Sequence, residues 1–234
     1  MVSDLLLMLR SEFELLNRRE RFHISLSKAK VEAATLALRD QLNRGINNVD
    51  FKPFGFRHPN GFEKLVIYED ANSGCRLRVH HWAAGTISDS DIHNHRWNCS
   101  SLTIQGTATM EVYLPRPDKY ADPVYLPHPR TCKKLPINQG ARYSVERNER
   151  DHWHAYDRRE LSLCSGAIYA LGYEIPHRIR VPPEQGLLTL FCSSTPVRNQ
   201  SEIYGQSQKR ATQRTANLMS AEEVFARVEA LIKF

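Results

Sequence analysis

From Phe51 to Cys192 no stretch of the chain carries the apolar period of a helix. Short runs of alternating apolar and polar residues follow one another instead, separated by Pro, Gly, Asn and Ser. Glu63–Glu69 and Arg76–Trp82 are two such runs, with the turn signal Asn72-Ser73-Gly74 between them. In the second, Leu77, Val79 and His81 alternate with Arg78, His80 and Trp82, which puts the two sets on opposite faces of a strand. Thr109–Leu114 is a further run. Pro115, Pro117, Pro123, Pro127 and Pro129 then predict a long loop around short edge strands. Short strands with turns at close intervals build an all-β sandwich or barrel.

The flanks read differently. Leu5, Leu9, Phe13 and Leu16 recur at helical spacing and predict a helix over 3–22. A second helix is expected over Ser27–Asn43, with Ser27 as its N-cap and Gly45 as its stop. Past Pro196 the strands are expected to cease, and Gln200–Arg214 reads as exposed linker. Ser220-Ala-Glu-Glu223 is a capping-box pattern that opens a last helix, with Val224, Val228 and Leu231 on one face. The expected division is an N-terminal helical extension (1–50), a β-barrel (51–198), and a linker with a C-terminal helix (199–234), both helical parts packed outside the barrel.

The 234 residues are 41% hydrophobic, which supplies a sizeable core. The net charge is +6, but the basic residues are dispersed and no nucleic-acid-binding signature accompanies them, so no nucleic-acid partner is expected. Five cysteines (Cys75, Cys99, Cys132, Cys164 and Cys192) are widely spaced and form no CxxC. That argues against a disulfide framework and fits a reducing cytoplasm. No signal-peptide pattern or membrane-length apolar run is present in the sequence, so no membrane partner is expected.

The chemistry concentrates in Gly85–Gly106. His93 and His95 stand two apart, and on a strand both imidazoles point the same way. Neutral imidazole is a ligand for divalent iron, nickel, copper and zinc. Leu102 and Ile104 alternate with Thr103 and Gln105, as in a half-buried strand that ends at Gly106. A second His-x-His, His152 and His154, lies among Glu149, Arg150, Asp151, Arg158, Arg159 and Glu160, a setting that reads as a solvated hairpin.

Gly85, His93, His95 and Gly106 resemble the first motif of the cupin superfamily, a jelly-roll β-barrel. The glutamate usual in that motif is absent, since Asn98 and Cys99 stand in its place. This resembles the three-histidine branch, which includes thiol dioxygenases of the cysteine dioxygenase type. Gly166 to Ile179, with Pro176-His177, resembles the second cupin motif, whose histidine is the last ligand. The resemblance therefore implies His93, His95 and His177 as metal ligands, with His152 and His154 as the rival source of the third. Trp82-Ala-Ala-Gly85, Ile92-His93-Asn94-His95 and Pro176-His177-Arg178-Ile179 resemble further thiol dioxygenase motifs. Cys99 matches a cysteine that some members cross-link to a tyrosine, and Tyr169 also fits the pattern.

Where the family places that tyrosine and an activating histidine, this chain has Ser193 and Phe191. The family's substrate-clamping arginine would fall near Leu65, beside Lys64. The resemblance thus implies a non-haem, metal-dependent dioxygenase, with Fe(II) or else Ni(II) as cofactor. Its substrates would be O2 and a small metabolite, cysteine or a related thiol-bearing amino acid, in specialised biosynthesis. Arg78 is the first choice for anchoring a substrate carboxylate, ahead of Arg96. Trp82, Tyr113 and Tyr169 are expected to wall the pocket, with a redox role for Cys99 open. A cupin isomerase or lyase working without O2, and a non-catalytic binding protein, are the alternatives. The terminal helices could serve as contacts of a homodimer.

Overall fold

The computed structural model describes residues 11, 23–47, 54–58, 60–70, 72, 74–86, 90–115, 123–127, 130–134, 141–146, 153–204 and 213–232. The helix expected over 3–22, along with His128 and His152, lies outside the described residues. The described elements are, in order, β1 (His23–Ser25), α1 (Lys28–Asn47), β2 (Phe54–His58), β3 (Phe62–Glu69), β4 (Arg76–Trp82), β5 (Ile92–His93), β6 (Cys99–Gly106), β7 (Ala108–Leu114) and β8 (Val124–Pro127). There follow β9 (Arg130–Lys134), β10 (Ala141–Glu146), β11 (Trp153–Leu163), β12 (Ala167–Leu171), β13 (His177–Arg180), β14 (Leu187–Ser193), β15 (Ser201–Tyr204), β16 (Gln213–Leu218) and α2 (Ala221–Ile232). No described helix is long and apolar enough to cross a membrane.

All strand pairs are antiparallel. One layer runs β1-β12-β6-β14-β4-β3-β2-β16, and the other runs β10-β9-β15-β5-β13-β7-β11-β8. The chain passes from one layer to the other at each connection from β4 to β7 and from β11 to β15, and stays in the second layer from β7 to β11. The four strands β4-β14-β6-β12 and the four strands β5-β13-β7-β11 thereby form two interlocked Greek keys. This strand order defines a jelly roll. At the β6–β7 turn Gly106 has φ +87°, and a Cβ there would stand 1.9 Å from the Gly186 carbonyl oxygen, so only glycine fits.

The alternation expected for β4 holds. Leu77 and Val79 join the outer core of the first layer with Leu65, Ile67, Leu102 and Leu190. Arg78 and Trp82 turn to the space between the layers, where Trp82 packs with Met110, Val112, Leu171 and Phe191. The half-buried reading of β6 is corrected. Thr103 is buried like Leu102, because β6 lies in mid-sheet with the barrel interior on one face and helices over the other.

Both helices cover that outer face: Ala34, Leu38 and Leu42 of α1 meet Val224, Val228 and Leu231 of α2 over the strands. α1 runs through Gly45 instead of stopping there. A mid-helix glycine costs about 1 kcal/mol, less than the burial of Leu38 and Leu42 returns, at about 2 kcal/mol each. The capping box forms as expected, with Glu223 N–H donating to Ser220 Oγ (3.2 Å) and Ser220 N–H to Glu223 Oε2 (2.8 Å). The strands do not cease at Pro196. β15 falls where linker was expected, because its edges pair with β5 and β9 and Tyr204 is buried. β16 pairs with β2 and β10.

Glu63 fastens α2 to the sheet. Its carboxylate meets Arg227 (2.7 Å) and His81 (3.0 Å). Burial alone would raise its pKa, but the hydrogen bonds from His81 and Arg227 outweigh this and hold it below the ordinary value. A carboxyl with a lowered folded-state pKa stabilises above its unfolded value, about 4.3, and that contribution is lost as pH falls through the folded value. Wild type is therefore expected to unfold at higher urea than Glu63→Gln at pH 7. The gap should close as pH is lowered past about 4. A gap that persists at acid pH would show that Glu63 acts through packing instead.

Candidate metal centre

Three histidines meet between the layers. The ligand atoms of His93, His95 and His177 all lie within 4.8 Å of one another. Their rings stand 4.8–5.0 Å apart, centre to centre. His93 ends β5, and backbone pairing sets His177 of β13 directly opposite it. His95 lies beyond the strand, contrary to the simple two-apart picture. Its position comes from its N–H donating to the Tyr173 carbonyl (3.2 Å) and from its ring stacking on Trp97 (5.6 Å, 10°).

The ring nitrogens are sorted by their neighbours. His93 Nδ1 lies 2.8 Å from the Asp91 carbonyl, and His177 Nδ1 lies 3.1 Å from the Ile175 carbonyl. Carbonyls accept only, so both Nδ1 atoms carry the proton and both Nε2 lone pairs are left for a metal. Burial holds His177 neutral, with its pKa down to about 3, and His93 nearby adds to the effect. Burial likewise puts His95 well below the ordinary range, with His177 and His93 adding. Three uncharged imidazoles aimed at one point fit a divalent transition metal.

His154, the rival that falls within the described residues, is exposed on β11 and is not part of the convergent group. The strand containing it pairs with β8 at the far edge of the layer, which carries it away from β5 and β13.

The cavity beside the histidines has a volume of about 160 Å³. Arg78, Trp82 and Tyr169 line it, and Cys99 does not. Cys99 is packed on the inward face of β6 with Trp82, Tyr169 and Phe191, and burial pushes its thiol up to about 12. Tyr169 is buried too, and burial raises its hydroxyl above the ordinary value. Tyr113 is corrected: it points to the outer face of β7 and donates to Glu111 (2.5 Å). Buried Glu111 also holds Arg178 and Arg180 (2.9 Å), which fixes β13, and hence His177, against β7. His58 also lines the cavity and stacks on Phe62 at 4.4 Å.

Arg78 is only 3% exposed, yet among the described residues its side chain meets no carboxylate. It donates to Ser193 Oγ (2.9 Å) and lies over the rings of Trp97 (5.0 Å) and Phe191 (5.6 Å). Burial lowers its pKa to about 10, with Arg76 adding, so it stays a cation at neutral pH. Trp97 and Phe191 each touch His95 as well, so Arg78 stands one ring away from the three histidines. Arg96 lies 5.0 Å from the Trp97 ring, and Lys64 lines the same cavity.

No family model and no curated protein matches the sequence. Solved structures do. A cupin-like protein from Thermotoga maritima is similar over 73% of this chain and 85% of its own, at 10% identity and a TM-score of 0.32. An oxalate decarboxylase from Lactobacillus farciminis in complex with formate matches 63% of this chain and 32% of its own, at 10% identity and a TM-score of 0.36. Vicilin from hazelnut (Corylus avellana) matches 52% of this chain and 24% of its own, at 11% identity and a TM-score of 0.32. The chain thus spans a quarter to a third of the length of the latter two. The fold is a jelly-roll barrel. Strand order and register carry that assignment, and a fold of this kind hosts many unrelated activities.

Sequence reasoning missed three features of the site. Trp97 repeats the two-residue spacing of His93 and His95 and could have been placed beside them. Asn94, between the two ligands, gave no signal. Nor did Arg198 and Glu202, which close on Asn94 from more than a hundred residues away.

Proposed function

We propose that this protein is a metal-dependent oxygenase acting on a small anionic metabolite. The observation that carries the reading is the pairing of two unlike features in one cavity. Three imidazoles converge on a point, and a buried arginine that meets no carboxylate among the described residues stands one ring away. A buried cation is costly unless an anion meets it, and guanidinium matches a carboxylate bidentately.

His93, His95 and His177 would hold the metal, Fe(II) or Ni(II), leaving coordination positions open. A metal there supplies Lewis acidity and, if redox-active, electrons for dioxygen. The chain's own groups do the rest. Arg78, steadied by Ser193, fixes the substrate anion, with Arg96 and Lys64 adding positive charge to the same cavity. Trp82, Phe191 and Trp97 exclude water around the reacting end. Tyr169, with its hydroxyl proton held firmly, serves as a donor to an oxygen atom of the substrate. Cys99, a protonated thiol packed among Trp82, Tyr169 and Phe191, is a packing residue here. Cysteine and related thiol acids, the substrates that the sequence resemblance implies, satisfy the anion requirement.

Oxygen uptake by the metal-loaded protein tests the reading. Uptake stimulated by a small thiol or carboxylic acid, and lost in Arg78→Met, is the expected result. Substrate turnover without oxygen uptake would replace the oxygenase with a lyase or isomerase. Tight ligand binding with no turnover would leave a binding protein.

A further inference from the structure

The cavity is longer than an amino acid. In the first layer the strands run β14-β4-β3-β2, and each contributes side chains to the wall. Adjacent strands are about 4.8 Å apart, so the wall extends about 14 Å from Phe191, beside the histidines, to Phe54 and Phe56. Arg78 on β4 and Lys64 on β3 stand in the middle of that span. Cysteine bridging the metal and Arg78 would leave the β3–β2 half unfilled.

That outer half is rich in flat rings, with Lys64, Asn60 and His58 among them. Phe62 stacks on Trp82 (4.6 Å, 29°) and on His58 (4.4 Å, 22°), while Phe54 and Phe56 meet edge to face at 5.7 Å. Val66 completes the wall. The donors are placed just as unevenly. The ring N–H groups of Trp82 and Trp97 are buried with no hydrogen-bond partner among the described residues, and both side chains line the cavity, Trp97 beside Arg78. Buried N–H groups are rarely left unpaired in a finished structure, so an acceptor-rich ligand group is expected beside them.

We infer that the substrate is an aryl-bearing carboxylic acid, its carboxylate on Arg78 beside Trp97 and its ring in the slot formed by Phe54, Phe56 and Phe62. The inference rests on the reading of this cavity as the substrate site, and it narrows that reading from small acids in general to acids with a flat apolar tail. It also accounts for Phe191 and Ser193 at the positions where thiol dioxygenases, by resemblance, carry a histidine and a tyrosine. A pocket for an aryl tail gains from a ring wall and from a hydroxyl that steadies Arg78.

The test is a binding series on the full chain, metal-loaded and anaerobic so that nothing turns over. The readout is the fluorescence of Trp82 and Trp97, checked by calorimetry. 3-Phenylpropionate is expected to bind about 30-fold more tightly than 3-phenylpropanamide, the value of a charge-assisted pair, and more tightly by a similar factor than propionate. In Arg78→Met the acid should lose its advantage over the amide while the ring preference survives. In Phe56→Leu the ring preference should fall and the acid preference should survive. Propionate or cysteine binding as tightly as 3-phenylpropionate to wild type would overturn the inference without recourse to any variant. So would an undiminished acid preference in a folded Arg78→Met. The two readings fail separately. Aryl-acid binding without oxygen uptake removes the oxygenase and leaves this site. Oxygen uptake with cysteine, and no aryl preference, removes this site and leaves the oxygenase.

Discussion

His177→Ala is expected to lose its metal. Wild type reconstituted with ferrous iron or nickel and dialysed should retain about one equivalent, and the variant a small fraction of that. His177 supplies one of three donor atoms that lie within 4.8 Å of one another, and no other histidine, cysteine or carboxylate joins the group among the described residues. Loss of a partner that merely orients a ligand weakens metal binding 10–100-fold, so loss of a ligand itself should exceed about 100-fold. His154→Ala, on exposed β11, is expected to keep its metal. Elemental analysis of the three proteins decides between them. Full retention by His177→Ala would remove β13 from the site.

Asn94→Ala should produce the second-largest effect, although Asn94 touches no metal. The residue sits between two ligands and is 1% exposed. Its amide N–H donates to Glu202 Oε2 (2.5 Å) and to the Tyr204 hydroxyl (3.3 Å), while its oxygen accepts from the Glu202 N–H (2.7 Å) and from Arg198. Arg198 also donates to the His95 carbonyl (3.1 Å) and meets Glu202 at 3.2 Å. One amide therefore ties both sides of the His93–His95 turn to β15. Alanine would leave buried donors and acceptors unpaired at about 1–3 kcal/mol each, and a total loss of about 3 kcal/mol is expected. With the turn loosened, metal affinity should fall 10–100-fold. Asn94→Asp is expected to fare no better, because a carboxylate cannot donate and would face Glu202. Urea unfolding and metal retention check both effects. If stability drops while metal affinity is unchanged, the network supports the fold and not the ligands.

The same network shows where the sequence stops being legible. The all-β barrel could be read because its strands are short, alternating and punctuated, with the jelly roll implied by the resemblance, and β4 was placed residue for residue by period alone. The convergent histidines could be read because His93 and His95 are local and the segment around His177 resembles the second cupin motif. β15 could not, since Ser201–Tyr204 has neither length nor alternation and becomes a strand only by pairing with β5 and β9. Gly45 misled for the same reason, because burial of Leu38 and Leu42 overrides a local stop signal. Tyr113 was assigned to the cavity from its residue type. Its true face is set by the alternation of β7, in which Met110 and Val112 point inward and Glu111 and Tyr113 outward. Arg78 was the more informative case, since period placed it on the face of Trp82, but only the folded chain shows that no carboxylate among the described residues meets it.

The most direct test of the metal centre is X-ray absorption at the metal edge of the loaded protein. The expected spectrum contains three imidazole nitrogens at about 2.0–2.2 Å, light-atom scatterers in the remaining positions, and no sulfur at about 2.3 Å. A sulfur shell would bring Cys99 into the site. A spectrum with fewer than three imidazoles would contradict the convergence of His93, His95 and His177 on one ion.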